Sequence, residues 1–133
     1  MRRLRLPYSQ AEEMFLRMVF NVVIRNQDDH TKNISFLMDN VGKWRLSPAY
    51  DLGFAYNPKG AWTNTHQMSI NGKFDDITRK NLQAFAISNN IKNANEIIDK
   101  VCEVTSKWPE MAKNCGVPKE MIDARLPYML LNI

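Results

Sequence analysis

Asn26-Gln27-Asp28-Asp29-His30-Thr31-Lys32-Asn33 is an unbroken run of polar side chains between two apolar segments, and its reading decides the fold. Upstream, Ser9 followed by Glu12 reads as a capping box. Met14, Phe15, Met18, Val19, Val22 and Val23 then recur at helical spacing, which predicts an amphipathic helix ending near Arg25 and Asn26. Downstream, Ile34, Phe36 and Met38 alternate, Asp39 to Gly42 supplies turn residues, and Trp44 and Leu46 alternate on the way out, as in a β-hairpin with one buried face. The polar run therefore joins a helix to a hairpin.

Further from the loop, Ser47 to Tyr56 is irregular and contains Pro48, and Asn57 to Thr65 collects Asn, Pro, Gly and Thr as an exposed loop does. His66 to Ile70 has the length of one short strand. From Thr78 the period becomes helical. Leu82, Phe85 and Ala86, with Ile87 at their edge, form one stripe, and Asn93 with Glu96 makes a second capping signature before Ile97, Ile98, Val101, Val104, Thr105 and Trp108. Pro109 is expected to end or kink that helix, Gly116 and Pro118 mark another stop, and Lys119 to Leu131 reads as a last helix weakened by Pro127. The predicted class is mainly α with one small β-hairpin in the first half.

The chain has 133 residues, which suits one domain or part of one, and 44% hydrophobic with 24% charged residues excludes wholesale disorder and a disulfide scaffold. A net charge of +4 without a long Lys/Arg run is too mild to imply nucleic acid or anionic lipid. The 2 cysteines, Cys102 and Cys115, have no CxxC spacing and no neighbouring His, so zinc is not expected and buried thiols in a reducing cytoplasm are. The apolar stretch Met18 to Ile24 falls far short of the about 18 residues that span a bilayer. Met1 to Leu6 is basic like a signal n-region, but Glu12 and Glu13 fall where the apolar region would lie, so a secretory signal is not expected.

The chemistry is concentrated in the polar run. Asp28 and Asn33 stand at the spacing of the Asp and Asn in kinase catalytic loops, where the carboxylate orients a hydroxyl and accepts its proton while the amide oxygen faces a magnesium ion. The hairpin then leads to Asp51-Leu52-Gly53, in the position of a metal-binding Asp-Phe-Gly with Leu for Phe. Asn33 and Asp51 supply hard oxygen donors, and phosphates and water would complete a magnesium shell.

With Asn26-x-Asp28-Asp29-His30-x-Lys32-Asn33-x-Ser35, Leu46-Ser47-Pro48-Ala49-Tyr50-Asp51 and His66-x-Met68-Ser69-Ile70-Asn71-Gly72-Lys73, the chain resembles the C-terminal part of HipA-like serine/threonine kinases, the toxins of bacterial toxin–antitoxin pairs. The resemblance implies a protein-kinase-like C-lobe spanning residues 1–133. It also implies ATP- and Mg²⁺-dependent phosphorylation of a protein serine or threonine, with Asp28 as base and Asn33 and Asp51 as magnesium ligands, and a HipB-like DNA-binding antitoxin as partner. HipA-like kinases are considerably longer. Their nucleotide lobe precedes the region matched, and the 5 glycines here form no phosphate-covering loop, so the chain is expected to be a C-lobe fragment that is inactive alone.

His30 is expected to order the loop by hydrogen-bonding both flanks of the turn, and Lys32 to offset the charge of the transferred phosphate. Asp29 reads as a solvated neighbour, and His66 as a strand residue outside the site. Three other readings stay open: a non-catalytic interaction module that binds an antitoxin or another subunit, a phosphatidylinositol-kinase-like fragment, and a metal phosphohydrolase using Asp28, Asp29 and His30.

Overall fold

The computed structural model describes residues 1–133, with every side chain included except that of Arg2. Five α-helices and a two-stranded antiparallel hairpin make a mainly helical fold: α1 (Tyr8–Ile24), β1 (Phe36–Met38), β2 (Trp44–Leu46), α2 (Arg79–Ser88), α3 (Ala94–Ser106), α4 (Trp108–Asn114) and α5 (Lys119–Arg125). The apolar stripe of α1 buries Phe15, Val19, Val22 and Val23 against Leu82 and Ala86 of α2 and Ile97, Ile98 and Val101 of α3. Phe15 and Phe85 stack with ring centroids 6.4 Å apart. None of the helices is long and apolar enough to cross a membrane, among the described residues.

The ends of α1 correct and extend the sequence reading. The Ser9–Glu12 box does not form, because the helix begins earlier, after an extended Pro7, and no side chain caps it. The helix start is held instead from outside: the Tyr8 hydroxyl accepts the Lys92 N–H at 2.8 Å. At the other end Arg25 takes the left-handed conformation (φ 60°, ψ 47°). The Asn26 N–H reaches back to the Asn21 carbonyl at 2.8 Å and the Arg25 N–H to that of Val22 at 3.3 Å, the paired bonds of a Schellman motif. This motif turns the chain sharply into the polar run.

In the hairpin Phe36 pairs with Leu46 and Met38 with Trp44, and a Ser47 N–H to Ser35 carbonyl bond of 3.0 Å continues the ladder toward the loop. The Asp39 carboxylate holds the turn through the N–H groups of Val41 and Lys43. The alternation predicts a face buried throughout, yet only its root is: Leu46 is buried and Phe36 half-buried, while Met38 and Trp44 are exposed. The sheet stands out from the helices, anchored where the Leu46 N–H donates to Gln10 Oε1 of α1.

His66 to Ile70 is not a strand. The segment closes in a tight turn, Ile70 bridging Lys73 across Asn71 (φ 51°) and Gly72 (φ 81°), since consecutive positive φ angles suit an Asn-Gly pair and disfavour strand continuation. Thr78 and Asn81 form a reciprocal capping box for α2, whereas Asn93 at the start of α3 makes no side-chain cap bond. Pro109 does not kink α3 but opens α4, in the first turn where its missing N–H costs nothing. The last helix stops at Arg125, and Leu126–Tyr128 form a 3₁₀ turn containing Pro127, followed by an extended Met129 and a turn at Leu131 and Asn132. The tail packs back: the Leu130 N–H donates to the Val23 carbonyl at 2.8 Å, satisfying an orphan acceptor of α1, and Arg79 Nε donates to the Ile133 carbonyl at 3.0 Å. The thiols differ from expectation as well. Cys102 is half-buried and Cys115, just past the end of α4, is exposed.

Candidate functional site

Three ties hold the polar run against the segment that follows the hairpin. The Ala55 N–H donates to the Arg25 carbonyl at 3.1 Å and the Gln27 N–H to the Ala55 carbonyl at 3.2 Å, which makes a short parallel bridge. Buried Asn26 places its amide nitrogen between the Asn21 side chain (3.0 Å) and the Asp51 carbonyl (3.1 Å). The Tyr50 hydroxyl donates to the Lys32 carbonyl at 2.7 Å. Arg25, whose left-handed backbone is unusual for a long side chain, is fixed by Asp75 at 3.2 Å and lies 4.3 Å from the Tyr56 ring centroid. These contacts bring the Asp51 turn beside the loop although the hairpin separates them in the chain.

The two adjacent aspartates point in opposite directions. The Asp28 carboxylate is 53% exposed and makes no hydrogen bond among the described residues, its nearest cationic partner there being His30 Nε2 at 3.9 Å. Asp29 is buried: one oxygen lies 2.9 Å from His66 Nδ1, and the other accepts the N–H groups of Gln67 at 2.7 Å and Met68 at 3.4 Å. An ionised carboxylate is acceptor-only, so His66 donates from Nδ1. Asp29 is thus not the solvated neighbour that the sequence suggests. Three convergent donors offset the desolvation cost of burying it.

Thr31–Asn33 form a 3₁₀ turn closed by the Asn33 N–H on the His30 carbonyl at 3.0 Å. The Asn33 amide nitrogen donates to the Asp28 carbonyl at 3.0 Å. Since the nitrogen is committed, the Asn33 Oδ1 is left as an acceptor with no protein partner among the described residues. Asn33 lines a cavity of about 30 Å³, together with Asp29, His30 and the two neighbours of Asp51, Tyr50 and Leu52. Asp51 itself is exposed, with a left-handed φ of 54° that only a small minority of non-glycine residues adopt. Lys32 is exposed and its ammonium forms no ion pair among the described residues. His30 is half-buried, and its ring bonds neither flank of the turn: Nδ1 is buried without a partner. The ordering expected of His30 falls to Asp29.

The sequence reading left His66 out of the site and gave Asn26 no role beyond opening the polar run, yet both are bonded into this site. No spacing rule links position 66 to position 29, because the contact is made by tertiary folding. The available signal was compositional: one of only 2 histidines stands just before an Asn-Gly turn. Among the described residues no three His, Cys, Asp or Glu side chains converge as a metal-holding group. With Asp29 committed to His66, the Asp28–Asp29–His30 set does not form the cluster that a metal phosphohydrolase needs.

Fold and site define a mainly helical lobe whose first helix feeds a polar loop, held against the segment that follows a small hairpin. Residues 1–108 match the model of the HipA-like C-terminal domain, and the chain belongs to that family. No curated protein matches it significantly. The match covers α1 to α3 and the whole of the polar site, while α4, α5 and the tail lie almost entirely beyond it.

Proposed function

We propose that this lobe carries the catalytic loop of an ATP-dependent serine/threonine protein kinase, with Asp28 as base toward the acceptor hydroxyl and Asn33 and Asp51 as magnesium ligands. The reading rests on one observation above others: Asp29 is turned inward and bonded, which leaves Asp28 open to solvent at a loop whose Asn33 amide nitrogen is already used. A base must reach a hydroxyl at hydrogen-bond distance, and an exposed carboxylate that accepts no hydrogen bond among the described residues is free to do so. The donor chemistry fits magnesium. An amide oxygen and a carboxylate are hard ligands, and with one carboxylate between them they suit an ion whose remaining ligands are nucleotide phosphates and water. Magnesium held there supplies charge neutralisation for the phosphates.

Within the protein, Asp28 orients the serine or threonine hydroxyl and takes its proton on a carboxylate oxygen. Asn26 and Tyr50 keep the Asp51 turn and the Lys32 backbone in register with that carboxylate. Lys32, exposed beside Asn33, offsets developing charge on the transferred group as a mobile point charge. In this reading ATP and a protein acceptor are the substrates, a HipB-like DNA-binding antitoxin is the partner, and the site of action is the cytoplasm. A second reading, an interaction module without catalysis, is favoured by the apolar hairpin tip, where Val41 is 82% exposed beside Leu37, Met38 and Trp44. Transfer of labelled phosphate from ATP by a longer protein that carries this lobe together with a nucleotide lobe separates the two. Transfer abolished by Asp28→Ala supports the kinase, and ATP binding that is undetectable in that protein supports the interaction module.

A further inference from the structure

We propose that Asp29 and His66 are a positioning pair that aims Asp28 and Asn33, so that the segment before the Asn71-Gly72 turn belongs to the site without touching nucleotide or acceptor. The inference deepens the kinase reading and rests on it. From Asp28 to Thr31 the loop's backbone hydrogen bonds are local among the described residues: the Asp28 and His30 carbonyls accept from Asn33 and the Thr31 carbonyl from Ile34, just downstream. Its flanks are tied at Gln27 and Lys32, and between them only the Asp29 side chain reaches outward. Asp29 is 7% and His66 3% exposed, so neither is placed to meet a substrate.

The geometry explains why a carboxylate is needed at position 29. Its two oxygens serve different donors, the His66 ring on one side and the Gln67 and Met68 N–H groups on the other, and contacts on both oxygens fix the rotation of the group as well as its location. An apolar side chain of the same size would leave the buried His66 ring and two main-chain N–H groups without this acceptor. Asp28 and Asp29 share a peptide plane, so holding Asp29 inward sets the outward direction of Asp28 and the place of the Asp28 carbonyl that receives the Asn33 amide. His66 is itself held, its N–H donating to the Phe74 carbonyl at 2.9 Å across the tight turn. The result is a chain of contacts from turn to His66 to Asp29 to loop.

The test uses the 133-residue chain with Mn²⁺ and ATP as the probe, read by paramagnetic broadening of the Asn33 side-chain amide and the Asp28 backbone amide, which registers even weak occupancy. In the unaltered chain both signals broaden selectively. His66→Leu removes the donor, and in the folded variant the apparent Mn²⁺ affinity at these two signals falls by about tenfold or more, the scale of lost outer-shell support. His66→Asn puts an amide nitrogen where Nδ1 stood and restores most of the effect. If His66→Leu does not fold, Asp29→Asn, which keeps an acceptor for Gln67 and loses the charge, carries the same comparison. The pair is overturned if the folded donor-less variant broadens like the original, or if His66→Asn fails to differ from His66→Leu. A chain with intact Asp29 and His66 in which neither signal broadens overturns the kinase reading itself.

Discussion

The Asn33 side-chain nitrogen donates to the Asp28 main-chain carbonyl across 3.0 Å, so the two residues proposed for opposite halves of the chemistry are joined by one bond. That bond fixes which face of the amide looks outward. Asn33→Asp removes the donor and turns an acceptor toward the carbonyl. Phosphotransfer by the longer protein is expected to fall at least as far as for a lost general base, by about 10² or more. Stability of the lobe should change by only about 0.5–1.5 kcal/mol, the net value of one such bond, as measured by urea unfolding.

The Asp28 carboxylate is 53% exposed and has no hydrogen bond to lose among the described residues. Asp28→Ala should therefore leave the thermal midpoint unchanged and lower phosphotransfer by about 10²–10⁴. Wild-type turnover in the folded variant would remove Asp28 from the mechanism.

Asn33 and Asp51 alone do not hold a nucleotide in line with an acceptor, which in kinases depends on a phosphate-covering loop and a phosphate-pairing lysine. The purified 133-residue chain is expected to fold and to transfer no phosphate at an appreciable rate. Labelled transfer by this chain, lost on Asp28→Ala, would show that the lobe suffices.

Leu82 is 0% exposed where α1, α2 and α3 meet. Leu82→Ala leaves a cavity in the helical core and should destabilise the protein by about 2–5 kcal/mol, read from the shift in urea midpoint at constant slope. A loss below about 1 kcal/mol would mean that the neighbouring helices collapse into the space.

Burial raises the pKa of the Cys102 thiol, with the nearby Asp99 carboxylate adding to the effect and Arg79 opposing it. The reactive species is the thiolate, so a raised pKa together with half-burial slows attack at pH 8. In peptide mapping after brief iodoacetamide treatment, exposed Cys115 should be modified well before Cys102, and raising the pH should narrow the gap.

The fold class was legible because it depends on periodicity within single elements. The apolar stripe of α1, the hairpin alternation and the stripes of α2 and α3 each require one face to be dry, and helix and strand repeats differ enough to be told apart. Asp28 and Asn33 could be singled out because a loop with one polar run carries its own spacing, and Asp51 because it opens the Asp-Leu-Gly that follows the hairpin. Cap positions were less legible: Ser9 and Glu12 have the right chemistry, yet Pro7 and the Tyr8–Lys92 contact set the start of α1. The extent of buried hairpin face was also hidden, because it depends on how far the sheet stands out from the helices.

What only the tertiary structure decided is which aspartate faces the solvent. Asp28 and Asp29 are identical in the sequence, and the difference between them is made by His66, Gln67 and Met68, brought over from the far side of the exposed loop. A buried carboxylate is tolerated only where several donors converge on it, and such convergence has no local sequence signature. The position of Asp51 was decided in the same way, by the Asn26 amide on its carbonyl and by the bridge at Ala55. The sequence by itself determined the helices, the hairpin and the polar residues between them, because side-chain periodicity acts over neighbouring positions. The aim of each polar group came from contacts between segments distant in the chain.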